Sequence, residues 1–179
     1  MDVNAVETDW NYAPGVTKAT FNLHPQHHVG SVDPRIFGGF LEHMGRAVYQ
    51  GVFDPTSIHA DEFGCRIDVL EALSELEFSV MRYPGGNFVS NYHWRDGVGP
   101  VTERPVRREL AWGTIEPNTF GTNEFLSLSE RMAWSPMFAV NLGTGTPEEA
   151  ADWVEYTNGN SATELGRQRA KDDPTSVQP

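Results

Sequence analysis

The sequence predicts an α/β fold built from three successive strand–helix units. Three short apolar segments, 36–43, 78–83 and 137–142, are each followed by a polar loop that contains glycine. Helical patterns separate them, as in chains that form a parallel sheet. Polar residues that follow parallel strands line the pockets of many α/β enzymes. The pattern therefore indicates a polar pocket large enough for a sugar, although three such units are too few to close a barrel.

Three helices are predicted between and after these strands. The first, 61–76, has apolar residues at helical spacing: Phe63, Ile67, Leu70 and Leu73. The second covers about 122–133. The third begins at Thr146-Pro147-Glu148-Glu149, where a hydroxyl N-cap is followed by proline at the first helical position, and it ends near Asn158-Gly159.

The two ends of the chain differ from this central part, 33–159. Residues 1–16 are predicted to form a flexible N-terminus. Segment 17–32 opens with alternating apolar and polar residues at 17–23, which predicts a half-exposed strand. Residues 160–179 are polar, and we expect a frayed tail or an interrupted loop there.

Charge and cysteine content narrow the class of protein. The chain has 179 residues and a formal net charge of −12, from 25 acidic and 13 basic residues. This balance disfavours nucleic acid and anionic membranes as partners, because both require basic patches. A single cysteine, Cys65, excludes an internal disulfide and fits a reducing compartment. No apolar run approaches the ~20 residues of a membrane-spanning helix, and no signal peptide is visible, so a cytoplasmic location is expected.

Glu42, Arg82 and Asn87 are the first candidate site residues. Glu42 follows an apolar strand and could accept hydrogen bonds from sugar hydroxyls or act in acid–base chemistry. The alternative is a salt bridge to Arg46 or Arg82. Arg82 and Asn87 flank a Pro-Gly-Gly turn, and an amide offers a donor and an acceptor to adjacent hydroxyls. Alternatively, Asn87 only closes the turn.

Trp112 is the fourth candidate. It lies in the segment 84–121, which is long for a plain connection, and long ordered loops are usually functional. The aromatic residues of this segment could be platforms for sugar stacking, Trp112 above all. The alternative is that they pack within the loop or the core.

Other motifs predict no cofactor or metal site. The loop Leu142-Gly143-Thr144-Gly145-Thr146 lacks the spacing of a phosphate-binding loop, so a tight strand–helix connection is favoured over nucleotide binding. His24, His27 and His28 have no cysteine or acidic partner at ligand spacing, and surface positions are expected for them.

Several long segments resemble glycoside hydrolase family 51, the α-L-arabinofuranosidases. They are 36–49, 81–92, 94–100, 108–125 and 140–156. The resemblance implies a retaining glycosidase with a (β/α)₈ barrel, of which 33–159 would be the N-terminal part. It also implies an accessory β-sandwich to which 17–32 would contribute a strand.

The resemblance also implies roles for the four candidates. Glu42 matches a non-catalytic, substrate-binding glutamate and Asn87 a sugar-binding asparagine. Arg82 matches a supporting arginine of the pocket, and Trp112 a wall on the leaving-group side. The implied partners are arabinofuranosyl oligosaccharides from arabinan or arabinoxylan, and the full-length form would be a homo-oligomer.

The chain departs from the family pattern at the catalytic pair. A retaining glycosidase needs two carboxyl groups about 5 Å apart, and in this family both follow later strands, expected beyond Pro179. The pair Asn123-Glu124 opens a helix instead, and Glu77 stands where glycine usually ends a helix. We therefore expect the chain alone to be inactive. The alternative is a degenerate, non-catalytic carbohydrate-binding or interaction module.

Overall fold

A computed structural model describes residue 20 and residues 24–172. The chain divides into two compact units, 1–32 and 33–179. In the first unit His24, His27 and His28 are all exposed, as expected. The predicted N-terminus 1–16 lies outside the described residues, as does nearly all of the predicted strand 17–23. The description below concerns 33–172.

Five β-strands occur in this part of the chain. A parallel sheet has the order β1 (Gly38–Phe40), β2 (Val80–Tyr83) and β5 (Ser135–Phe138). An antiparallel hairpin pairs β3 (Arg107–Arg108) with β4 (Ile115–Glu116). The sheet confirms the mixed α/β class and the parallel arrangement predicted from the sequence.

Four α-helices accompany the strands within 33–172. They are α1 (Ile67–Ser74), α2 (Thr122–Arg131), α3 (Pro147–Asn158) and α4 (Glu164–Asp172). Short 3-10 turns cover Pro34–Ile36, Phe88–Asn91, Trp94–Gly97 and Val101–Glu103. None of the helices in the described residues is both long and apolar enough to cross a lipid bilayer.

The first two strands are shorter than the apolar runs that predicted them, and the third is displaced. In β1 the regular ladder ends at Phe40, but Leu41 N still donates to Arg82 O at 2.8 Å. The third strand was predicted at 137–142 and lies at Ser135–Phe138. It begins earlier because Ser135 N donates to Ser79 O at 2.9 Å.

Helix α1 begins six residues later than predicted. The Asp61 carboxylate accepts the N–H groups of Phe63 and Cys65, each at 2.9 Å. Gly64 adopts a φ of +81°, which a helix excludes. Phe63 therefore belongs to a turn and is 54% exposed, below the guanidinium of Arg131. The helical spacing predicted for Phe63 was wrong.

Helix α3 begins as predicted, whereas α4 corrects the expected tail. Thr146 Oγ1 accepts Glu149 N at 3.1 Å, and Pro147 opens the helix. Beyond it, 164–172 is helical rather than frayed. Leu165 is buried, and Arg169 donates to Tyr156 O at 2.6 Å. Tertiary contacts from two residues thus order a segment whose own composition is polar.

Two hydrophobic clusters hold the described part together. The first lies between the sheet and helices α1 and α2, where Tyr83 stacks on Phe125 with ring centres 4.6 Å apart. The second lies between α3, α4 and the segment after β2, where Trp94 and Trp153 are nearly parallel at 6.1 Å. Helices α1 and α2 cover one face of the sheet. Three cross-strand partners of the other face, Phe40, Arg82 and Met137, are partly or largely exposed.

Candidate functional site

Glu42 lies where the carboxyl ends of β1 and β2 meet. Its Oε1 accepts hydrogen bonds from Gly86 N at 3.0 Å and from Phe88 N at 3.3 Å. Among the described residues it forms no ion pair, so the salt bridge to Arg46 or Arg82 is wrong. Its Oε2 accepts no hydrogen bond from that part of the chain. One oxygen thus fixes the position of the carboxylate.

Gly85 makes this placement of Glu42 possible. Its φ is +145°, a conformation that other L-residues rarely adopt. A Cβ atom at Gly85 would lie 2.3 Å from Glu42 Cγ. The turn after β2 can therefore approach the end of β1 this closely only because residue 85 has no side chain.

Arg82 is half-buried on the face of the sheet that α1 and α2 leave open. Its guanidinium carbon lies 5.3 Å from the centre of the Phe40 ring. In the described residues it has no carboxylate partner. Its charge therefore faces the open side of the sheet near the strand ends.

Asn87 is exposed in the turn that holds Glu42. Its backbone is helical (φ −66°, ψ −38°), and its side chain forms no capping hydrogen bond. The turn is closed instead by backbone atoms, with Ser90 N donating to Asn87 O at 3.3 Å. The alternative in which the Asn87 side chain closes the turn is wrong, and Asn87 is exposed.

Trp112 lies in the loop that joins β3 to β4 and is 41% exposed. Its backbone N–H donates to Glu109 Oε2 at 2.6 Å. No aromatic pair between described residues includes it, so the packing alternative does not hold for Trp112. It does hold for Tyr92, Trp94 and Phe120, which are buried in the two clusters.

A buried polar network beside Glu42 was missed by sequence reasoning. His43 Nε2 lies 2.8 Å from Tyr83 Oη, and His43 Nδ1 lies 3.0 Å from Glu116 Oε2. Glu116 accepts hydrogen bonds from Tyr49 Oη and, at 2.7 Å, from Asn118 N. Burial, together with the Glu116 charge, raises the pKa of Tyr49, so its hydroxyl stays a donor. No local pattern marks Glu116, because its partners are distant in sequence.

Asn123 and Glu124 have structural roles at the start of α2. The Asn123 amide exchanges hydrogen bonds with Tyr156 Oη. Glu124 Oε1 pairs with Arg104 at 2.8 Å, and its Oε2 accepts Gly121 N. This confirms that the pair opens a helix. Neither side chain has the position expected of an acid–base residue after a strand.

The loop before α3 is a tight connection, as predicted. Asn141 Oδ1 accepts the N–H groups of Gly143 at 3.0 Å and Thr144 at 2.9 Å. These two donors are therefore already used, and the loop does not present them to a phosphate. Cys65 is buried, which raises the pKa of its thiol.

The fold and the site together define an α/β protein that carries polar side chains at the carboxyl ends of its parallel strands. Residues 72–176 match the family model described as the alpha-L-arabinofuranosidase 1 domain. This match covers more than half of the chain, so the chain belongs to the alpha-L-arabinofuranosidase family.

Curated relatives agree with this assignment. The chain is 49% identical over 161 residues to probable alpha-L-arabinofuranosidase C of Aspergillus terreus, covering 88% of this chain and 32% of that protein. It is 46% identical over 163 residues to the intracellular exo-alpha-(1->5)-L-arabinofuranosidase 1 of Bacillus subtilis, covering 89% of this chain and 33% of that protein. The chain thus spans about a third of the length of these relatives.

Solved structures show the same partial correspondence. A family 51 alpha-L-arabinofuranosidase from Bifidobacterium longum superposes with a TM-score of 0.79 at 46% identity, over 83% of this chain and 29% of that one. The family 51 enzyme from Thermotoga petrophila gives 0.77 at 46% identity, over 81% and 30%. Both matches show that the described α/β unit is the arrangement found in this family.

Proposed function

We propose that the chain is the substrate-binding front part of a retaining α-L-arabinofuranosidase. The whole enzyme would hydrolyse terminal, non-reducing α-L-arabinofuranosides in arabinan and arabinoxylan oligosaccharides. The observation that carries this proposal is the geometry at Glu42. Its carboxylate is held by Gly86 and Phe88, keeps one oxygen for a ligand, and lies in contact with the turn that presents Asn87.

Each candidate has a distinct role in this proposal. Glu42 Oε2 accepts a hydrogen bond from a sugar hydroxyl, and the Asn87 amide donates to one hydroxyl while it accepts from another. Arg82 supports the pocket from the open face of the sheet. Trp112 forms a wall beside the leaving group, because an indole offers a large, rigid surface for stacking.

The open face supports a partial (β/α)₈ barrel for 33–159. Helices cover one face of the parallel sheet, while Phe40 is 75% exposed and Met137 48% exposed on the other. In a closed barrel the inner face is packed by side chains of the remaining strands. The exposed edges of β1 and β5 are where further strands would pair. Segment 17–32 is proposed to contribute a strand to an accessory β-sandwich.

Hydrolysis requires a second set of residues. Two carboxyl groups about 5 Å apart act as acid/base and nucleophile in retaining glycosidases. The acidic residues near the described site are otherwise engaged: Glu109 and Glu116 within the β3–β4 hairpin, and Glu124 with Arg104. We therefore propose that the 179-residue chain binds but does not cleave.

Three further properties belong to this proposal. The cytoplasm is the proposed location, because a lone cysteine fits a reducing compartment and the Bacillus subtilis relative is named intracellular. The proposed partners are arabinofuranosyl oligosaccharides rather than nucleic acid or membranes. The full-length form is proposed to be a homo-oligomer.

Binding and cleavage should be measured on the same preparation. Calorimetry should show that the chain binds methyl α-L-arabinofuranoside. Asn87→Ala and Glu42→Gln should each abolish this binding. The matched control is Glu71→Gln, an exposed carboxylate on α1. Para-nitrophenyl α-L-arabinofuranoside should release no nitrophenol. Absence of binding, or binding that ignores both substitutions, would refute the assignment of the site.

The alternative function is a non-catalytic carbohydrate-binding module. It is favoured because the described residues offer the proposed sugar-binding side chains without a pair of carboxyl groups free to act as acid/base and nucleophile. Reading the encoding DNA past the codon for Pro179 separates the two. An open frame with two further strand-end glutamates supports the enzyme. A stop codon at that point, together with measurable sugar binding, supports the module.

A further inference from the structure

The β3–β4 hairpin carries Trp112 on a loop whose two ends are anchored. At one end Arg107 pairs with Asp96 through two hydrogen bonds of 2.8 and 3.0 Å. At the other end Glu116 contacts His43 at 3.0 Å. The loop between these anchors, 109–114, therefore determines where the Trp112 indole lies.

Glu109 organises this loop from within. It is 5% exposed, although a carboxylate is costly to bury. Its two oxygens accept the backbone N–H groups of Ala111 and, at 2.6 Å, of Trp112. Its own N–H donates to Thr114 O at 2.9 Å. Among the described residues no cation pairs with Glu109, so these amides hold its charge.

The Trp112 side chain has little else to hold it. It is partly exposed and forms no aromatic pair with a described residue. The next residue, Gly113, has a φ of +72°, so the chain reverses direction directly after the indole. The hydrogen bond from Trp112 N to Glu109 is the contact that ties this position to the base of the loop.

We propose that Glu109 is a positioning residue that presents the Trp112 indole to the ligand. This inference rests on the proposed function, in which Trp112 is the wall on the leaving-group side. Glu109 does not touch the sugar. It fixes the backbone from which the indole projects, so its effect depends on the size of the group attached to the sugar.

Glu109→Gln tests this role without changing side-chain volume. Glutamine has one acceptor oxygen, and its NH₂ group would face an N–H donor. One of the two backbone hydrogen bonds is then lost. The matched control is Glu103→Gln, which removes the same charge from an exposed carboxylate in the same segment.

Amide hydrogen exchange, followed by NMR on the 179-residue chain, is the first measurement. In Glu109→Gln the amide that loses its acceptor, Trp112 or Ala111, should exchange about tenfold faster, as expected for the loss of one hydrogen bond. The Leu128 amide in α2 should keep its wild-type rate. The Glu103→Gln control should leave all three amides unchanged.

Ligand affinity is the second measurement, made with two glycosides. Glu109→Gln and Trp112→Ala should each weaken the binding of para-nitrophenyl α-L-arabinofuranoside about fivefold, because stacking on one aromatic ring is worth about 1 kcal/mol. Methyl α-L-arabinofuranoside, which carries only a methyl group as its aglycone, should keep its affinity. A general loss of structure would weaken both glycosides equally.

The outcomes separate this inference from the function on which it rests. Unchanged exchange of both the Trp112 and the Ala111 amide in Glu109→Gln overturns the positioning role. Faster exchange with unchanged or equally weakened affinities for both glycosides overturns it as well. If the wild-type chain binds neither glycoside, the proposed function fails, and the positioning of Trp112 for a sugar fails with it, whatever the exchange rates show.

Discussion

His43 Nδ1 lies 3.0 Å from Glu116 Oε2, and the two side chains are only 2% and 6% exposed. His43 follows Glu42 directly, whereas Glu116 lies at the base of the hairpin that carries Trp112. The His43 ring also stacks on Phe88 at 4.6 Å, and Phe88 N donates to Glu42. This buried contact therefore joins the segments that carry two proposed sugar-binding residues.

Removal of the Glu116 carboxylate should destabilise the chain. In Glu116→Ala the N–H of Asn118 and the hydroxyl of Tyr49 lose their acceptor while they stay buried. We expect the free energy of unfolding to fall by about 3 kcal/mol, measured by urea denaturation. Glu103→Ala, an exposed change in the same segment, should cost less than about 0.5 kcal/mol. Equal effects of the two changes would show that the network contributes nothing.

Gly85→Ala should displace Glu42, because the new Cβ would lie 2.3 Å from Glu42 Cγ and the residue has a φ of +145°. Affinity for methyl α-L-arabinofuranoside should fall at least about tenfold. Gly86→Ala is the matched control, since its Cβ would meet Glu42 Oε1 at an ordinary 3.9 Å. Calorimetry of both variants measures the difference. Comparable affinities would show that the Glu42 position does not depend on this turn.

Glu77→Gly should stabilise the chain. Glu77 follows α1 with a φ of +49° and is exposed. A left-handed conformation costs about 1 kcal/mol for a residue with a Cβ, so glycine should raise the free energy of unfolding by that amount. In Glu75→Gly the same substitution occurs at a φ of −64° and should be neutral or destabilising. A loss of stability in Glu77→Gly would contradict this account.

Asp61 should make stability depend on pH. Burial alone would raise its pKa, but hydrogen bonds from Cys65 and Phe63 and the pairing with Arg131 outweigh it, so the pKa is lowered. Because the pKa is lowered in the folded state, ionised Asp61 stabilises the fold at pH values above the unfolded-state pKa of about 3.9. This contribution is lost as the pH falls through the folded-state pKa.

Asp61→Asn should therefore destabilise at pH 7, and the difference from wild type should shrink below about pH 4. Thermal unfolding measured from pH 7 to pH 2.5 tests this expectation, with about pH 4 as the point where the curves begin to converge. Glu62→Gln removes an exposed neighbouring charge and should show no such convergence. A constant difference between wild type and Asp61→Asn would assign the effect to packing.

Local signals in the sequence were sufficient for several elements. Thr146 and Pro147 specify the start of α3 through their own side chains, so the boundary could be predicted without knowing the fold. The α1 boundary could not be predicted this way, because the turn at Asp61 depends on hydrogen bonds that compete with helical spacing.

The residues of the candidate site also fall into two groups, those that local sequence identifies and those that it does not. The residue types at the strand ends identify Glu42 and Asn87 as candidates, because parallel strands place their carboxyl ends together. The supporting residues cannot be identified locally. Glu116 meets His43 across more than seventy residues of chain, and α4 is ordered by Leu165 and Arg169 against α3.

Sequence patterns were enough to establish the α/β alternation, the family and the identity of the polar residues that follow the strands. These properties depend on short-range patterns and on residue types at fixed positions. The tertiary structure alone decided which oxygen of Glu42 is held, how Glu109 holds Trp112 and which carboxylates are buried. These features depend on contacts between segments that are far apart in sequence. No local pattern encodes how close such segments lie in space.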